Sequence, residues 1–188
     1  MLAAAQPGPS QHLEHRYVSL FMALTALTES QPGYEYRARP KAEHEAMVAV
    51  VTAAMDSYPG GVEPGTRQFV INQLLRSNDK SLKRTITEGL NLVGVVPAQA
   101  VEPIADRLTT IRSRLSHVGI IKNVEDDAAV LEVIHLADLI EWLIRSAMLI
   151  RMGASQDAMS QRLRANARFR ATWNSLPDAI AGGLRMVP

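Results

Sequence analysis

The sequence predicts an all-α protein, and three observations lead to that fold class. Apolar residues recur at steps of three and four along several segments, which is the spacing of one face of an amphipathic helix. The chain contains no segment in which apolar and polar residues alternate as they do in a strand. The longest apolar run, residues 128–152, carries its charges at helical spacing. We therefore expect a bundle of four to five main helices with short helical inserts.

The first half of the chain contains four segments with helical periodicity, separated by turn-forming residues. The first extends from Leu13 to Leu27 and is broken at Gln31-Pro32-Gly33. The second is predicted to begin near Pro40, because proline suits the first position of a helix. Ser77-Asn78-Asp79 is a turn signal between the third and fourth segments. The predicted core-facing residues are Leu13, Tyr17, Leu20, Leu24 and Leu27; Met47, Val50, Val51, Ala54 and Met55; Phe69, Val70, Leu74 and Leu75; and Leu82, Ile86, Leu90 and Val93, with Gly89 interrupting the last segment.

The second half is predicted to hold three further helices. The first of them is expected to stop at Gly119, which is a favourable residue after a helix end. A loop then leads to the long apolar helix over residues 128–152, for which Asp126 or Asp127 is a plausible N-cap. The basic segment 155–173 is predicted as a single final helix. The apolar row of the first of these helices consists of Ile104, Leu108, Ile111 and Leu115.

The long apolar helix is expected to lie inside a bundle rather than in a membrane. It contains Glu132, His135, Asp138, Glu141 and Arg145, which recur every three or four residues and therefore form one polar stripe. Several charges within one span are too costly for a helix that faces lipid alone. The sequence therefore predicts no membrane partner.

Composition and termini narrow the class of protein further. The formal net charge is +1, so charge alone does not make the whole chain a polyanion binder. The absence of cysteine excludes disulfides, thiolate chemistry and cysteine-ligated zinc. The first ten residues lack a basic region followed by an apolar stretch, so we expect no secretion signal and a cytoplasmic protein. The predicted organisation is a disordered segment over 1–11, a helical bundle over 12–153, and a basic helix and tail over 154–188.

The chemistry of the chain is expected at the short string 111–117, near the end of a predicted helix. Arg112 is a permanent cation that can hold a phosphate, and His117 belongs to the residue type whose ordinary pKa lies nearest neutrality. Five residues along a helix correspond to a rotation of about 140°, so the two side chains do not meet on a straight helix. Either the helix breaks near Ser116, or a second copy of the protein completes the site.

The string and its surroundings resemble the HEPN superfamily, and within it the Apea-like branch. Residues 112–117 fit the family pattern R-x-x-x-x-H, and they are followed by a loop and a long apolar helix as in the family. The early helix over residues 13–27 resembles the first helix of the family. The chain departs from the pattern at Ser113, where the family often has asparagine or another strongly polar residue.

The resemblance implies a homodimer in which two Arg-His motifs line one cleft, and a metal-independent endoribonuclease with no cofactor. His117 would act as general base on the ribose 2′-hydroxyl or as acid toward the leaving 5′-oxygen, while Arg112 would hold the scissile phosphate. The products would be a 2′,3′-cyclic phosphate and a 5′-hydroxyl. The resemblance also implies a place in bacterial phage defence or toxin–antitoxin biology, with a regulatory or antitoxin partner. Possible supporting residues are Ser113, Arg114 and Ser116.

Each of these features also has a simpler interpretation. Arginine and histidine near a helix C-terminus are favoured by the helix dipole without any catalytic role, and Arg114 competes with Arg112 for the phosphate. His12 and His15 lie one turn apart, but a solvated pair is favoured over a metal site, so no metal is predicted. A second cluster of cations either forms a solvated face or binds RNA phosphates. These residues are Arg162, Arg164, Arg168 and Arg170.

The alternative function is a non-catalytic helical module for dimerisation or partner binding. The broad apolar surface of the helix over 128–152 favours it, and so does the lack of a third obvious catalytic residue. Substitution of His117 distinguishes the two hypotheses, because only the ribonuclease needs an imidazole at that position.

Overall fold

The computed structural model describes residues 9–118, 127–181 and 185–186, and these residues form an all-α protein. The only β pairing among them is an isolated bridge between Arg37 and Asp79. The predicted fold class is therefore confirmed at the level of an all-α bundle. The helices of the described residues are α1 (Pro9–Glu29), α2 (Lys41–Asp56), α3 (Pro64–Arg76), α4 (Leu82–Val93), α5 (Ala98–Val118), α6 (Asp127–Arg151), α7 (Gln156–Ala165), α8 (Ala167–Asn174) and α9 (Asp178–Ala181).

The chain divides into two compact units. One, which we call the bundle, comprises Met1–Gln31 and Leu82–Pro188 and contains α1 and α4 to α9. The other, which we call the hairpin, comprises Pro32–Ser81 and contains α2 and α3. The candidate catalytic residues all belong to the bundle.

Helix α1 lies at the centre of the bundle, where it packs against α4, α5 and α6. Its residues Tyr17, Phe21 and Leu24 are fully buried, as the predicted apolar face requires. Arg16 contacts Asp138 on α6, and Ser30 contacts Arg151 near the end of the same helix, so α1 and α6 run parallel.

Helices α4 and α5 pack side by side in opposite directions. Lys83 near the start of α4 pairs with Asp106, whereas Thr87, one turn later, contacts Glu102, which lies earlier in α5. All four residues of the predicted apolar row on α5 are buried in the core, which confirms the orientation of that helix. These residues are Ile104, Leu108, Ile111 and Leu115.

The predicted interruption of α4 at Gly89 is absent. The helix continues through Gly89, where a Cβ atom would lie 2.4 Å from the hydroxyl oxygen of Thr28 on α1. The glycine therefore allows α1 and α4 to approach closely, and the lost helix propensity of about 1 kcal/mol is compensated by that contact.

The C-terminal segment forms two helices where one was predicted. The chain leaves the helical conformation at Asn166, whose side-chain oxygen accepts hydrogen bonds from the backbone N–H groups of Arg168 and Phe169. Such a cap stabilises the start of a new helix and explains the break. Beyond it, Phe169, Trp173 and Leu176 are buried in the core of the bundle, and the short α9 packs against α5.

The two helices of the hairpin form as predicted, but several of their apolar side chains are less buried than predicted. Both helices are present, but neither contains a fully buried apolar residue. Val50, Phe69 and Leu75 were predicted to face a core, and they are 70%, 62% and 55% exposed. The prediction of a buried face was wrong because two paired helices cover only the narrow strip between them.

No helix of residues 9–118, 127–181 or 185–186 is both long enough and apolar enough to cross a bilayer. The long helix α6 lacks that character because the polar stripe interrupts its apolar surface.

Candidate functional site

Helix α5 fixes the position of the Arg-His motif. Its apolar row, which includes Leu115 of the motif, is buried, and this leaves Arg112, Ser113, Arg114 and Ser116 on the flank and outer surface of the helix. Arg112 is half-buried beside that row, whereas Ser113, Arg114 and Ser116 are exposed. His117 belongs to the last turn of the helix, but its side chain lies outside the part of the structure that is described.

The helix does not break at Ser116. It continues to Val118, so the first of the two expected routes to a complete site is excluded within one chain. Arg112 and His117 remain about 140° apart around the axis. The residues predicted beyond this point, Gly119 as the helix stop and Asp126 as the N-cap of α6, lie outside the described residues.

Arg112 carries a buried polar atom without a partner. No acceptor among the described residues lies within hydrogen-bond distance of its Nε, and no described carboxylate forms an ion pair with it. Buried polar atoms of proteins are satisfied in the great majority of cases. The Nε atom is itself buried, so an anionic ligand would bind Arg112 through the four N–H donors of its two Nη groups, for which no acceptor is found among the described residues.

The neighbouring Arg107 on the same helix is satisfied. Its Nε and Nη2 donate to the two carboxylate oxygens of Glu132 on α6, both at 2.5 Å. This hydrogen bonding raises the pKa of Arg107 above its ordinary value. Tyr17 lies beside the pair and donates its hydroxyl to the carbonyl oxygen of Leu108 at 2.9 Å, and burial raises the pKa of Tyr17. This cluster ties α1, α5 and α6 together.

The carboxylates of the polar stripe on α6 form contacts with other helices, whereas His135 of the same stripe has a ring nitrogen without a described partner. Glu132, Asp138 and Glu141 accept hydrogen bonds from arginines of α5 and α1. His135 is half-buried, and its Nδ1 has no partner among the described residues. No cluster of three or more histidine or carboxylate side chains that could hold a metal ion is found in the described ranges, which include His12 and His15.

A second polar site lies between α6 and α8. A cleft of about 310 Å³ is lined by Asp138, Glu141, Trp142 and Arg145 from α6 and by Arg168, Ala171 and Thr172 from α8. From α1, Arg16 donates to Asp138 at 2.7 Å and to Glu141 at 2.8 Å, and this contact lowers the pKa of Glu141. Arg145 pairs with the other oxygen of Glu141.

The four arginines predicted to bind RNA are placed in three different environments. Arg162 and Arg164 are exposed on α7, and Arg168 lines the cleft. Arg170 instead donates through Nη1 to the carbonyl oxygens of Arg164 and Ala165, so it stabilises the C-terminal end of α7. The four side chains therefore have different environments, and RNA binding by them stays a prediction.

The sequence analysis did not identify the cleft as a site. It recognised the polar stripe of α6 but used it only as evidence against a membrane span. The available signal was Trp142, which directly follows Glu141 of this stripe and is one of two tryptophans in a chain with few aromatic residues. Arg16 and Thr172 gave no signal, because they reach the same place from helices distant in sequence.

Comparison of the chain with protein-family models, with curated proteins and with solved structures finds no significant match, so the functional assignment depends on the residues described above.

Proposed function

We propose that this chain is a metal-independent endoribonuclease of the HEPN type, in which Arg112 and His117 act on RNA. The observation that supports the proposal best is the half-buried guanidinium of Arg112, which lacks a partner among the described residues while Arg107 on the same helix is fully paired. A cation without a carboxylate is suited to hold a phosphodiester and the charge that develops on it in the transition state.

The reaction needs a proton acceptor as well as a cation. His117 removes the proton of the ribose 2′-hydroxyl, and the 2′-oxygen attacks the phosphorus while the bond to the 5′-oxygen breaks. The proton held by His117 then passes to the leaving 5′-oxygen. The products are a 2′,3′-cyclic phosphate and a 5′-hydroxyl, and the imidazole is regenerated as a neutral base.

The site is proposed to form between two chains. Because α5 is unbroken, Arg112 and His117 of one chain diverge around its axis. A twofold axis places Arg112 of one chain opposite the partner's His117, and it creates two equivalent sites in a homodimer. The proposed biological setting remains phage defence or a toxin–antitoxin system.

The first test compares wild type with Arg112→Ala and His117→Ala on mixed-sequence single-stranded RNA in the presence of EDTA. Both variants are expected to lose at least about 100-fold in rate, since general acid–base catalysis and charge stabilisation each contribute that much. His15→Ala, which changes an exposed histidine outside the motif, is the matched control and is expected to cleave normally. Cleavage that survives both motif substitutions, or that requires a metal, would contradict the proposal.

A second test asks whether the site is shared between chains. Mixing Arg112→Ala with His117→Ala chains under exchange creates heterodimers in which one site has both intact residues. Statistical mixing then restores about one quarter of the wild-type rate, because half of the dimers carry one working site out of two. An absence of restoration in a mixture proven to exchange subunits would argue against a composite site.

A non-catalytic dimerisation or partner-binding module is the second candidate function. It is favoured by large apolar side chains that are exposed to solvent on α6 and directly after it: Leu131, Met148, Leu149 and, beyond the helix end, Met152. Exposed apolar patches are a feature of interaction surfaces. If this candidate is correct, His117→Ala leaves oligomeric state and cellular phenotype unchanged, and purified wild type shows no RNA cleavage.

A further inference from the structure

The cleft between α6 and α8 has an excess of hydrogen-bond donors. Both carboxylate oxygens of Glu141 already accept bonds, one from Arg16 and one from Arg145, and Asp138 also accepts from Arg16. Arg168 makes no side-chain hydrogen bond or ion pair within the described residues. The unpaired guanidinium of Arg168 and the remaining donors of Arg145 complement an anion rich in acceptor oxygens, although Oδ2 of Asp138 accepts no hydrogen bond among the described residues.

The charges of the site agree with that conclusion. Three arginines and two carboxylates surround or support the cleft, so its balance is one positive charge. The carboxylates do not face the cleft as free anions, because each is engaged by a guanidinium. An incoming phosphate is therefore attracted to Arg168 and to the remaining donors of Arg145.

Trp142 is the aromatic residue among those that line the cleft. Trp142 is half-buried, and its ring packs edge-on against the buried ring of Phe169, with centroids 6.0 Å apart at 84°. The guanidinium of Arg145 lies 5.8 Å from the centroid of the Trp142 ring. Tryptophan faces and guanidinium planes are the surfaces on which unpaired bases stack.

We propose that this cleft binds a nucleoside monophosphate unit, with the phosphate on Arg168 and Arg145 and the base against Trp142. Its volume of about 310 Å³ lies at the small end of the range of ligand pockets, which suits one nucleotide rather than a larger cofactor. The unit is either a nucleotide within a single RNA strand or a free nucleotide. The inference that the nucleotide belongs to an RNA strand rests on the proposed function. The inference that the cleft complements a nucleotide does not.

The test uses a His117→Ala chain, so that binding is measured without cleavage. The probe is a fluorescein-labelled oligoadenylate decamer followed by anisotropy, with unlabelled AMP and ribose 5-phosphate as competitors. Arg168→Gln is expected to weaken binding of the decamer about tenfold, which corresponds to one charge-assisted hydrogen bond. The slope of log K for the decamer against log salt concentration is expected to become shallower by about 0.7, the value for one phosphate contact on a single strand.

The matched control is Arg76→Gln, which makes the same change of charge at an exposed position on α3 outside the cleft. Arg168→Lys tests the geometry, because a lysine keeps the charge but cannot bind a phosphate through two parallel donors. We expect the Arg76 variant to bind as the parent does and the Arg168→Lys variant to bind with intermediate affinity. Thermal unfolding verifies that each variant is folded.

Competition identifies the source of the ligand. Displacement by AMP but not by ribose 5-phosphate shows that both base and phosphate are recognised, and sensitivity of AMP binding to Arg168→Gln assigns it to the cleft. If the decamer binds but AMP does not, and Arg168→Gln weakens that binding, the ligand of the cleft is a nucleotide within a strand. Equal weakening by Arg76→Gln and Arg168→Gln, or no binding of either probe, overturns the proposal. Cleavage by the wild type in that case leaves the proposed ribonuclease intact.

Discussion

Two arginines of α5, Arg107 and Arg112, have opposite surroundings although they lie only five residues apart. Arg107 is held by both oxygens of a carboxylate that is only 12% exposed, whereas Arg112 has no described partner. A paired charge at an interface between helices contributes to the fold, while an unpaired one is available for a ligand. The presence or absence of a carboxylate partner therefore distinguishes Arg107, a structural residue, from Arg112, a candidate catalytic residue.

Removal of the Arg107 side chain is expected to destabilise the bundle. Arg107→Met leaves the Glu132 carboxylate largely buried without its partner, and the expected loss is about 3 kcal/mol in the free energy of unfolding. Chemical denaturation measures it. The double variant Arg107→Met/Glu132→Leu should recover most of the loss, because no buried charge remains. Lys83→Met, which breaks a solvent-exposed pair on α4, should leave the free energy of unfolding almost unchanged.

Stability is expected to decrease at alkaline pH because of Tyr17. Its pKa is raised in the folded protein by burial, so its contribution to stability is complete below pH 10 and is lost as the pH rises further. Above pH 10 the unfolded tyrosine ionises while the folded one stays protonated, which favours unfolding by about 1.4 kcal/mol per pH unit. Denaturation of wild type and Tyr17→Phe from pH 9 to 11 isolates this effect, since the other tyrosines are unchanged. Parallel curves for the two proteins would contradict the assignment.

At the scale of the elements, close packing of α1 on α4 depends on one missing side chain. The 2.4 Å separation between a Cβ atom at Gly89 and the Thr28 oxygen is far below van der Waals contact. The overlap is relieved only if one helix shifts or if the Thr28 side chain rotates, which breaks its hydrogen bond to the carbonyl oxygen of Leu24. A glycine that looks like a helix breaker in the sequence therefore acts as a contact point between helices.

The variant Gly89→Ala is expected to destabilise the bundle by about 1–2 kcal/mol, since the steric overlap exceeds the gain in helix propensity. The double variant Gly89→Ala/Thr28→Ala removes the oxygen that causes the overlap, and the remaining neighbours of the new Cβ atom, the Cβ atom of residue 28 and a methyl carbon of Leu24, are 3.6 and 3.7 Å away. The double variant should therefore be more stable than Gly89→Ala alone. Thermal denaturation of the three proteins, with Thr28→Ala as reference, tests this order. A more stable Gly89→Ala protein would be incompatible with the observed packing.

The sequence was sufficient for features that a single helix determines. The bounds of α4 and the buried row of α5 follow from periodicity, because a helix that buries one face must repeat its apolar residues. Periodicity does not reveal whether a partner exists for a face, so the apolar positions of α2 and α3 were assigned to a core that does not cover them. The break at Asn166 was missed because asparagine is common in surface helices and its capping contact depends on the local backbone.

The two candidate sites, the Arg-His string and the cleft between α6 and α8, also differ in how far the sequence could predict them. The Arg-His string lies within seven residues, and its position on one helix could be deduced from the sequence. The cleft combines Arg16, Trp142 and Arg168, which are separated by more than a hundred residues at the extremes. Only the packing of α1, α6 and α8 brings such residues to one place.

At the scale of the whole molecule, the bundle and the hairpin differ in how much apolar surface they bury. The bundle contains a continuous core of fully buried residues from α1, α4, α5 and α6, and the helices of the hairpin contain none. Burial of apolar surface is the main source of stability in folded proteins. The two units are therefore expected to open with different free energies.

Native-state hydrogen exchange should detect this difference. Amides in the middle of α2 and α3 are expected to have protection factors at least about tenfold smaller than those in the middle of α1, α5 and α6. Limited proteolysis provides an independent measurement, with first cleavage expected between residues 32 and 81. Equal protection in both units would show that they unfold as one, which the distribution of buried residues does not predict.

The parallel pairing of α1 with α6 also sets an order of events during synthesis. Arg16 meets Asp138 across 122 residues of sequence, so the partner of the first helix is translated long after the helix itself. At a synthesis rate of about 5–20 residues per second, that interval is about 6–24 s. During this time the nascent chain presents Tyr17, Phe21 and Leu24 on a helix that α6 does not yet cover. Until α6 has emerged, the apolar face of α1 therefore lacks one of the helices that pack against it in the folded bundle.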